Sequence, residues 1–187
     1  MELECLLLIG VGFLAGFINT IAGGGTLLTM PMLIFMGLPP SVANGTNRVA
    51  ILIQTAIGVK GFQSKGVTTH PFSIYLGISA LFGSLIGAQI AVDIKGDTFN
   101  KILAIVMVLV VLMLVFKPKV SISELVERTT GKYLYLSIVI FFFLGIYGGF
   151  INAGIGFLMR MVLPYVNRLS LVKSHAPKVA VGCTYTI

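Results

Sequence analysis

The chain has 187 residues, 57% of them hydrophobic and 10% charged, with a mean hydropathy of +1.02 and a formal net charge of +7. Soluble domains carry about 25% charged residues, and six acids with thirteen bases cannot cover the surface of a soluble 20.0 kDa globule. A soluble enzyme, a nucleic-acid-binding domain and a disordered tail are therefore excluded, and 22 Gly with no Trp fit an all-α polytopic integral membrane protein.

An apolar stretch of about 20 residues spans a bilayer as a helix. The start, Met1-Glu2-Leu3-Glu4, is acidic and lacks the basic region of a cleaved signal peptide, so residues 3–22 read as a retained span. That run meets Gly23-Gly24-Gly25, and a shorter one follows from Thr26 to Met36. Gly37-Leu38-Pro39-Pro40 is a strong breaker. The polar cluster Asn44-Gly45-Thr46-Asn47-Arg48 leads into a third run, Val49 to Val59. The runs 26–36 and 49–59 are short for full spans and predict a re-entrant hairpin. A basic loop from Lys60 to His70 precedes spans at 71–92 and 99–116, which are joined through Asp93, Lys95 and Asp97. In the first of these, Ser79, Gly83, Gly87 and Ala91 fall four apart, as do Ala80, Ser84 and Ala88; this is a face for close helix packing in lipid. Residues 117–131 are a soluble linker, in which Ser121 and Glu124 have capping-box spacing. Apolar sequence resumes from Tyr133 to Ile151, breaks near Gly154-Ile155-Gly156, continues to Val166, and returns from about Val179 to the end. Cys5 and Cys183 sit inside apolar runs as small packing residues.

Gly-Phe-Ile-Asn occurs at Gly16–Asn19 and again at Gly149–Asn152, an offset of 133 that Gly12 and Gly145 share. Val42, Arg48, Val49 and Ala50 match Val172, Lys178, Val179 and Ala180 at an offset of 130. The chain therefore divides into a first repeat, 1–116, a linker, 117–131, and a second repeat, 132–187. The second copy lacks counterparts of residues 58–116, and a continuation to about 245 residues is expected. Bases concentrate in the 60–70 loop and the linker, which places both on the cytoplasmic side and the 93–98 loop outside. With a re-entrant hairpin each repeat has an odd number of crossings and the halves are inverted, as in many secondary transporters. The rival count takes the first 36 residues as one broken span and makes the halves parallel.

Every acid lies at a terminus, in a loop or in the linker, so a carboxylate-based cation antiporter is not expected. Bases do stand near the breaks: Arg48, Arg160, Lys173 and Lys178. A charge in hydrocarbon faces a cavity or a partner. With no acid beside these bases, an anionic substrate is one partner and snorkelling at helix ends is the other reading. Gly23-Gly24-Gly25-Thr26 opens a half-helix, whose N–H groups form an anion site. Asn19, Thr26, Asn44, Thr46 and Asn47 add neutral donors, and Asn152 repeats Asn19; the competing reading of the Asn residues is capping of broken helix ends. His70, before Pro71, reads as interfacial, and His175 lies in the second polar break. Clustered His, Cys or carboxylates are missing from the sequence, so no enzyme, metal or cofactor is expected.

The run GFLAGFINTIAGGGTLLTMPMLIFMGLPPSVANGTNRVA resembles the N-terminal signature of the TauE/SafE sulfite exporter family, also called the 4-toluene sulfonate uptake permease family. The run GIYGGFINAGIGFLMRMVLPY resembles the start of that family's second half. The resemblance implies a multi-pass plasma-membrane transporter that moves sulfite, sulfoacetate or related organosulfur anions by alternating access, coupled to the proton gradient. It places Asn19, Gly23, Gly24, Gly25, Thr26, Asn44, Thr46, Asn47, Arg48 and Asn152 at signature positions, and the repeat adds Lys178 as the counterpart of Arg48. The expected partners are a small anion and the lipid bilayer, with a homo-oligomer left open and no nucleic acid. The alternatives are an anion channel and a non-transport membrane assembly subunit.

Overall fold

The computed structural model describes residues 2–67, 70–116, 127–170 and 173–186. They form α1 (Glu2–Ile21), α2 (Thr26–Phe35), α3 (Pro40–Ser64), α4 (Phe72–Asp93), α5 (Gly96–Val115), α6 (Lys132–Phe150), α7 (Ile155–Asn167) and α8 (His175–Tyr185), and no strand occurs among the described residues. The capping-box pair Ser121 and Glu124, most of the linker, and Val172 of the repeat lie outside the described residues.

Segments 72–93, 96–113 and 132–150 are long and apolar enough to cross a membrane, and α2 and α7 are shorter apolar helices. Phe13, Phe17, Phe82, Leu85, Val108 and Phe143 all stand more than half exposed. Against water such a surface is an aggregation liability. Against lipid it is the ordinary outer face of a helix whose backbone bonds are satisfied internally.

The tightest contact is α4 against α6. A methyl group on Gly83, Gly87, Gly145 or Gly149 would lie 2.0–2.2 Å from a backbone carbonyl oxygen of the facing helix. The four-residue spacing of small side chains therefore does what it predicts, and lets the two backbones touch. Ser79 Oγ adds a hydrogen bond to the Ile138 carbonyl at 2.6 Å.

Element order repeats itself. A long helix, α1 or α6, ends at a break, residues 22–25 or 151–154, and a shorter helix with an internal proline follows, α2 with Pro31 or α7 with Pro164. Both breaks turn on a glycine in the left-handed region, Gly23 at φ +86° and Gly154 at φ +71°, where a side chain would be strained. Two cores result. One joins α4, α6, α7 and α8 around Leu76, Phe141, Leu163 and Val181; the other joins α2 to α5 around Met30, Leu33, Phe99 and Leu103.

One expectation is corrected. The polar cluster 44–48 does not precede a short helix. It lies inside α3, a continuous helix of 25 residues, which is about 37 Å at 1.5 Å per residue. The reason is periodicity: Ala43, Asn44, Asn47, Ile51 and Thr55 fall on one buried face. Only α2 of the predicted hairpin is a half-length helix. The other run belongs to a helix long enough to span the bilayer.

Candidate functional site

Both breaks face each other. A methyl group on Gly23 would lie 2.3 Å from the Gly156 carbonyl carbon, so the turn before α2 rests directly on the first turn of α7. The start of a helix leaves N–H groups without intrahelical partners and carries partial positive charge. Two such starts therefore meet across the glycines.

Beside this meeting point is a cavity of about 80 Å³ between α1, α3, α7 and α8. A water occupies about 30 Å³ in the liquid, so the space suits a ligand of a few heavy atoms. Its polar lining is Asn19, Thr20, Thr26, Gln54, Thr55, Asn152, Lys178 and Tyr185, with backbone at Gly156; among the described residues the lining has one base and no acid. Asn152 is 0% exposed. Its Oδ1 accepts the Tyr185 hydroxyl at 2.9 Å, while its Nδ2, with two protons to give, has no protein partner. A buried donor without an acceptor costs free energy, and here the amide borders the cavity.

Lys178 is 7% exposed and donates from Nζ to the carbonyls of Asn19 at 2.8 Å and Thr20 at 3.4 Å. Those carbonyls belong to the last turn of α1, where a cation is favoured and hydrogen bonds are left open. An ammonium has three donors, so one remains for the cavity. Arg48 makes the corresponding contact on the other side. Its Nη2 donates to the carbonyls of Gly148, at 2.9 Å, and Gly149, in the last turn of α6. Asn44, one turn earlier on α3, donates from Nδ2 to the Phe150 carbonyl at 3.0 Å. Each base thus caps the end of a long helix far away in sequence, Arg48 that of α6 and Lys178 that of α1, where capping was expected of the Asn residues.

The structure sorts the predicted residues. Asn19, Thr26, Asn152 and Lys178 line the cavity. Gly23, Gly24 and Gly25 form the buried turn that meets α7. Asn44 and Arg48 cap α6 and do not line it. Asn47 is buried in an adjoining cavity of about 180 Å³, where Thr29 donates to its Oδ1 at 2.6 Å and its Nδ2 has no partner. Thr46 is exposed and lines neither space. Lys173 has an acid beside it after all, pairing with Glu127 at 2.5 Å on the surface. His175 is half-buried in the first turn of α8, and Arg160 is half-buried with an unpartnered Nε.

Two site residues were not anticipated. Gln54 accepts from Asn19 Nδ2 at 2.8 Å and donates to the Gly16 carbonyl at 2.7 Å, which locks the end of α1 to α3. Tyr185 holds Asn152. Both stand inside apolar runs, and the one signal available was a polar atom in an otherwise apolar stretch.

Long apolar helices, two of them broken and meeting beside a small, partly open cavity, define a helical integral membrane protein. The chain belongs to the sulfite exporter TauE/SafE family, whose sequence model matches residues 8–187. It is 31% identical to a probable membrane transporter protein of Haemophilus influenzae over 89% of this chain and 64% of that protein. It is 28% identical to the probable membrane transporter protein ORF9 of Sinorhizobium sp, over 77% of this chain and 54% of that one. To the probable membrane transporter protein YfcA of Escherichia coli K12 it is 28% identical, over 97% of this chain and 68% of YfcA. The chain thus spans less than two thirds of the length of the first two relatives. No solved structure matches.

Proposed function

We propose that the chain forms the anion-binding part of a multi-pass plasma-membrane transporter for small sulfur oxyanions, such as sulfite or sulfonates, that works by alternating access between its two halves. The observation that carries this reading is the lining of the central cavity. Lys178 and the first turn of α7 border it, Asn152 stands in its wall, and there is no carboxylate among the described lining residues. Preorganised N–H groups, a helix start and one ammonium are what an oxyanion needs in place of its hydration shell. A cation would find one base and no acid. Nothing in the lining resembles a nucleophile–base pair, so the site binds and releases its ligand unchanged.

The family name and the relatives' names support transport, and the broken helices meeting at the centre support a site at the bilayer midplane. Uptake of radiolabelled sulfite by the full-length protein in liposomes tests the reading. Saturable flux with uphill counterflow is expected, and Lys178→Met should lower it about tenfold or more, the size of one lost charged hydrogen bond. Absence of flux, or equal flux in the variant, would sink the proposal. Flux that does not saturate would favour a channel.

A further inference from the structure

We infer that the groove between α1 and α3 is the seat of a membrane helix built like α4, with small residues four apart on one face, which the full-length protein supplies from beyond Ile187 and which closes one side of the cavity beside the helix breaks. This rests on the internal repeat and holds whatever the cavity binds. The pattern for it is α4 itself, which lies against α6 and α8. A methyl group on Gly145 or Gly149 of α6 would lie 2.2 Å from the Ala80 or Ser84 carbonyl oxygen of α4, and one on Gly77 of α4 would lie 2.6 Å from Thr184 Oγ1 of α8. At the offset of 133, Gly145 and Gly149 answer to Gly12 and Gly16 of α1. At the offset of 130, Thr184 answers to Gln54 of α3. These three counterparts line one space of about 180 Å³.

On the α1 side the groove stands open. Among the described residues, a methyl group on Gly12 would have no atom within 4 Å, and one on Gly16 would meet only Gln54 Nε2, at 3.9 Å. Gly145 and Gly149 are buried, whereas Gly12 is exposed and Gly16 half-buried. A second observation asks for cover of protein and not of lipid. Asn19, Thr26 and Gln54 line both this groove and the cavity that Lys178 borders. Polar groups facing hydrocarbon are costly, and irregular backbone such as the turn at Gly25, which also lines the groove, is tolerated at membrane depth only where protein or water covers it. The repeat names the occupant, since the helix that fills the matching groove is α4. In a second copy of the chain that face of α4 is already taken by α6. The Haemophilus influenzae relative is matched over 64% of its length, which leaves room there for helices answering to α4 and α5.

The test uses the full-length protein in nanodiscs, with the photoreactive residue p-benzoylphenylalanine in place of Phe13, which is 77% exposed and adjoins Gly12. After irradiation, mass spectrometry should find this position joined to a peptide beyond Ile187 of the same polypeptide. Adducts with a second copy, with lipid alone, or with residues 1–187 alone overturn the inference. Close packing is read separately, by thermal unfolding. Gly12→Leu should lower the melting temperature by at least about 3 °C, the overpacking expected where another helix backbone is near. Gly10→Leu is the control on the same helix. Gly10 also has open space around it, and its counterpart Phe143 is 63% exposed, so this variant should melt at or above the wild-type temperature. Equal melting points for the two variants overturn the seat. Should Gly12→Leu fail to fold where Gly10→Leu folds, the helix contact stands and the cross-link decides where the helix comes from.

Discussion

At single residues, the two strongest constraints come from opposite kinds of side chain, glycine and base. Gly23 combines φ +86° with backbone contact against Gly156. A left-handed conformation costs an L-residue about 1–2 kcal/mol, and the methyl of Gly23→Ala would also overlap a backbone carbon that cannot move aside. That variant should give little folded protein by size-exclusion chromatography in detergent. Gly45→Ala, in the interior of α3 with open space around it, should be neutral or stabilise by up to about 1 kcal/mol, the ordinary helix preference. The bases separate by what they touch. Arg48→Ala removes bonds to the α6 carbonyls, each worth about 1.5–3 kcal/mol for a charged donor, and should lower the melting temperature while sulfite still raises it. Lys178→Met should abolish the rise caused by sulfite, because this base borders the cavity. A sulfite-induced rise of equal size in both variants would contradict the division. The positions of these bases were legible as charges beside helix breaks. Their partners were not, because a carbonyl at a helix end leaves no mark on the sequence. Gln54 and Tyr185 were missed because each lies in a run that is apolar as a whole, and the threonines beside them, Thr55, Thr184 and Thr186, give no sign of which polar group matters.

Among the elements, close packing was the most legible feature and α3 the least. Small residues four apart on α4 announce a helix contact from sequence alone, and the partner's Gly145 and Gly149 lie in the repeated segment. Gly87→Val places its Cβ 2.0 Å from the Ile146 oxygen and must push α4 from α6. Overpacking of this kind costs about 1–3 kcal/mol where neighbours can yield; here the obstacle is a helix backbone, so the upper end is expected. Thermal unfolding in detergent should show the loss, and a melting point within a degree of wild type would mean that the helices part easily. The cluster Asn44–Arg48 was misread because a short run of polar residues looks like a loop when its period is ignored. Asn44, Asn47, Ile51 and Thr55 keep helical spacing, and the polar ones are buried because they serve other helices: Asn44 the end of α6, Asn47 the side chain of Thr29 on α2. The length of the apolar runs could not distinguish the elements, since 26–36 and 49–59 are equally short while α2 stops at 10 residues and α3 runs to 25.

For the whole molecule, the capping contacts form a reciprocal pattern. Arg48 of the first half holds the end of α6, and Lys178 of the second half holds the end of α1. The contacts are alike in kind and one turn apart in register, since at the offset of 133 Gly148 and Gly149 answer to Ala15 and Gly16 while Lys178 holds Asn19 and Thr20; a two-fold relation between halves would produce a pattern near this one. Such an axis can lie in the membrane plane, giving inverted halves, or along its normal, giving parallel ones. The contacts are the same in both arrangements, so only the sidedness of the helix starts separates them. We expect inversion from charge alone, since α3 at 25 residues removes the re-entrant hairpin that gave each half an odd number of crossings. α6 begins at Lys132 beside the basic linker, which the distribution of bases puts in the cytoplasm, and α1 begins at Glu2 with acids alone. In a background with Cys5 and Cys183 replaced by Ser, single cysteines at Glu2 and Lys132 should react oppositely with a membrane-impermeant maleimide added to intact cells. Glu2→Cys should label, and Lys132→Cys should label only after the membrane is opened. Labelling of both or of neither in intact cells would make the halves parallel. In the inverted case the two capped helix ends would lie toward opposite faces of the membrane, with Lys178 alone bordering the cavity. Rocking one half against the other would then strain the Arg48 and Lys178 caps in turn, and alternating access needs an asymmetry of that kind.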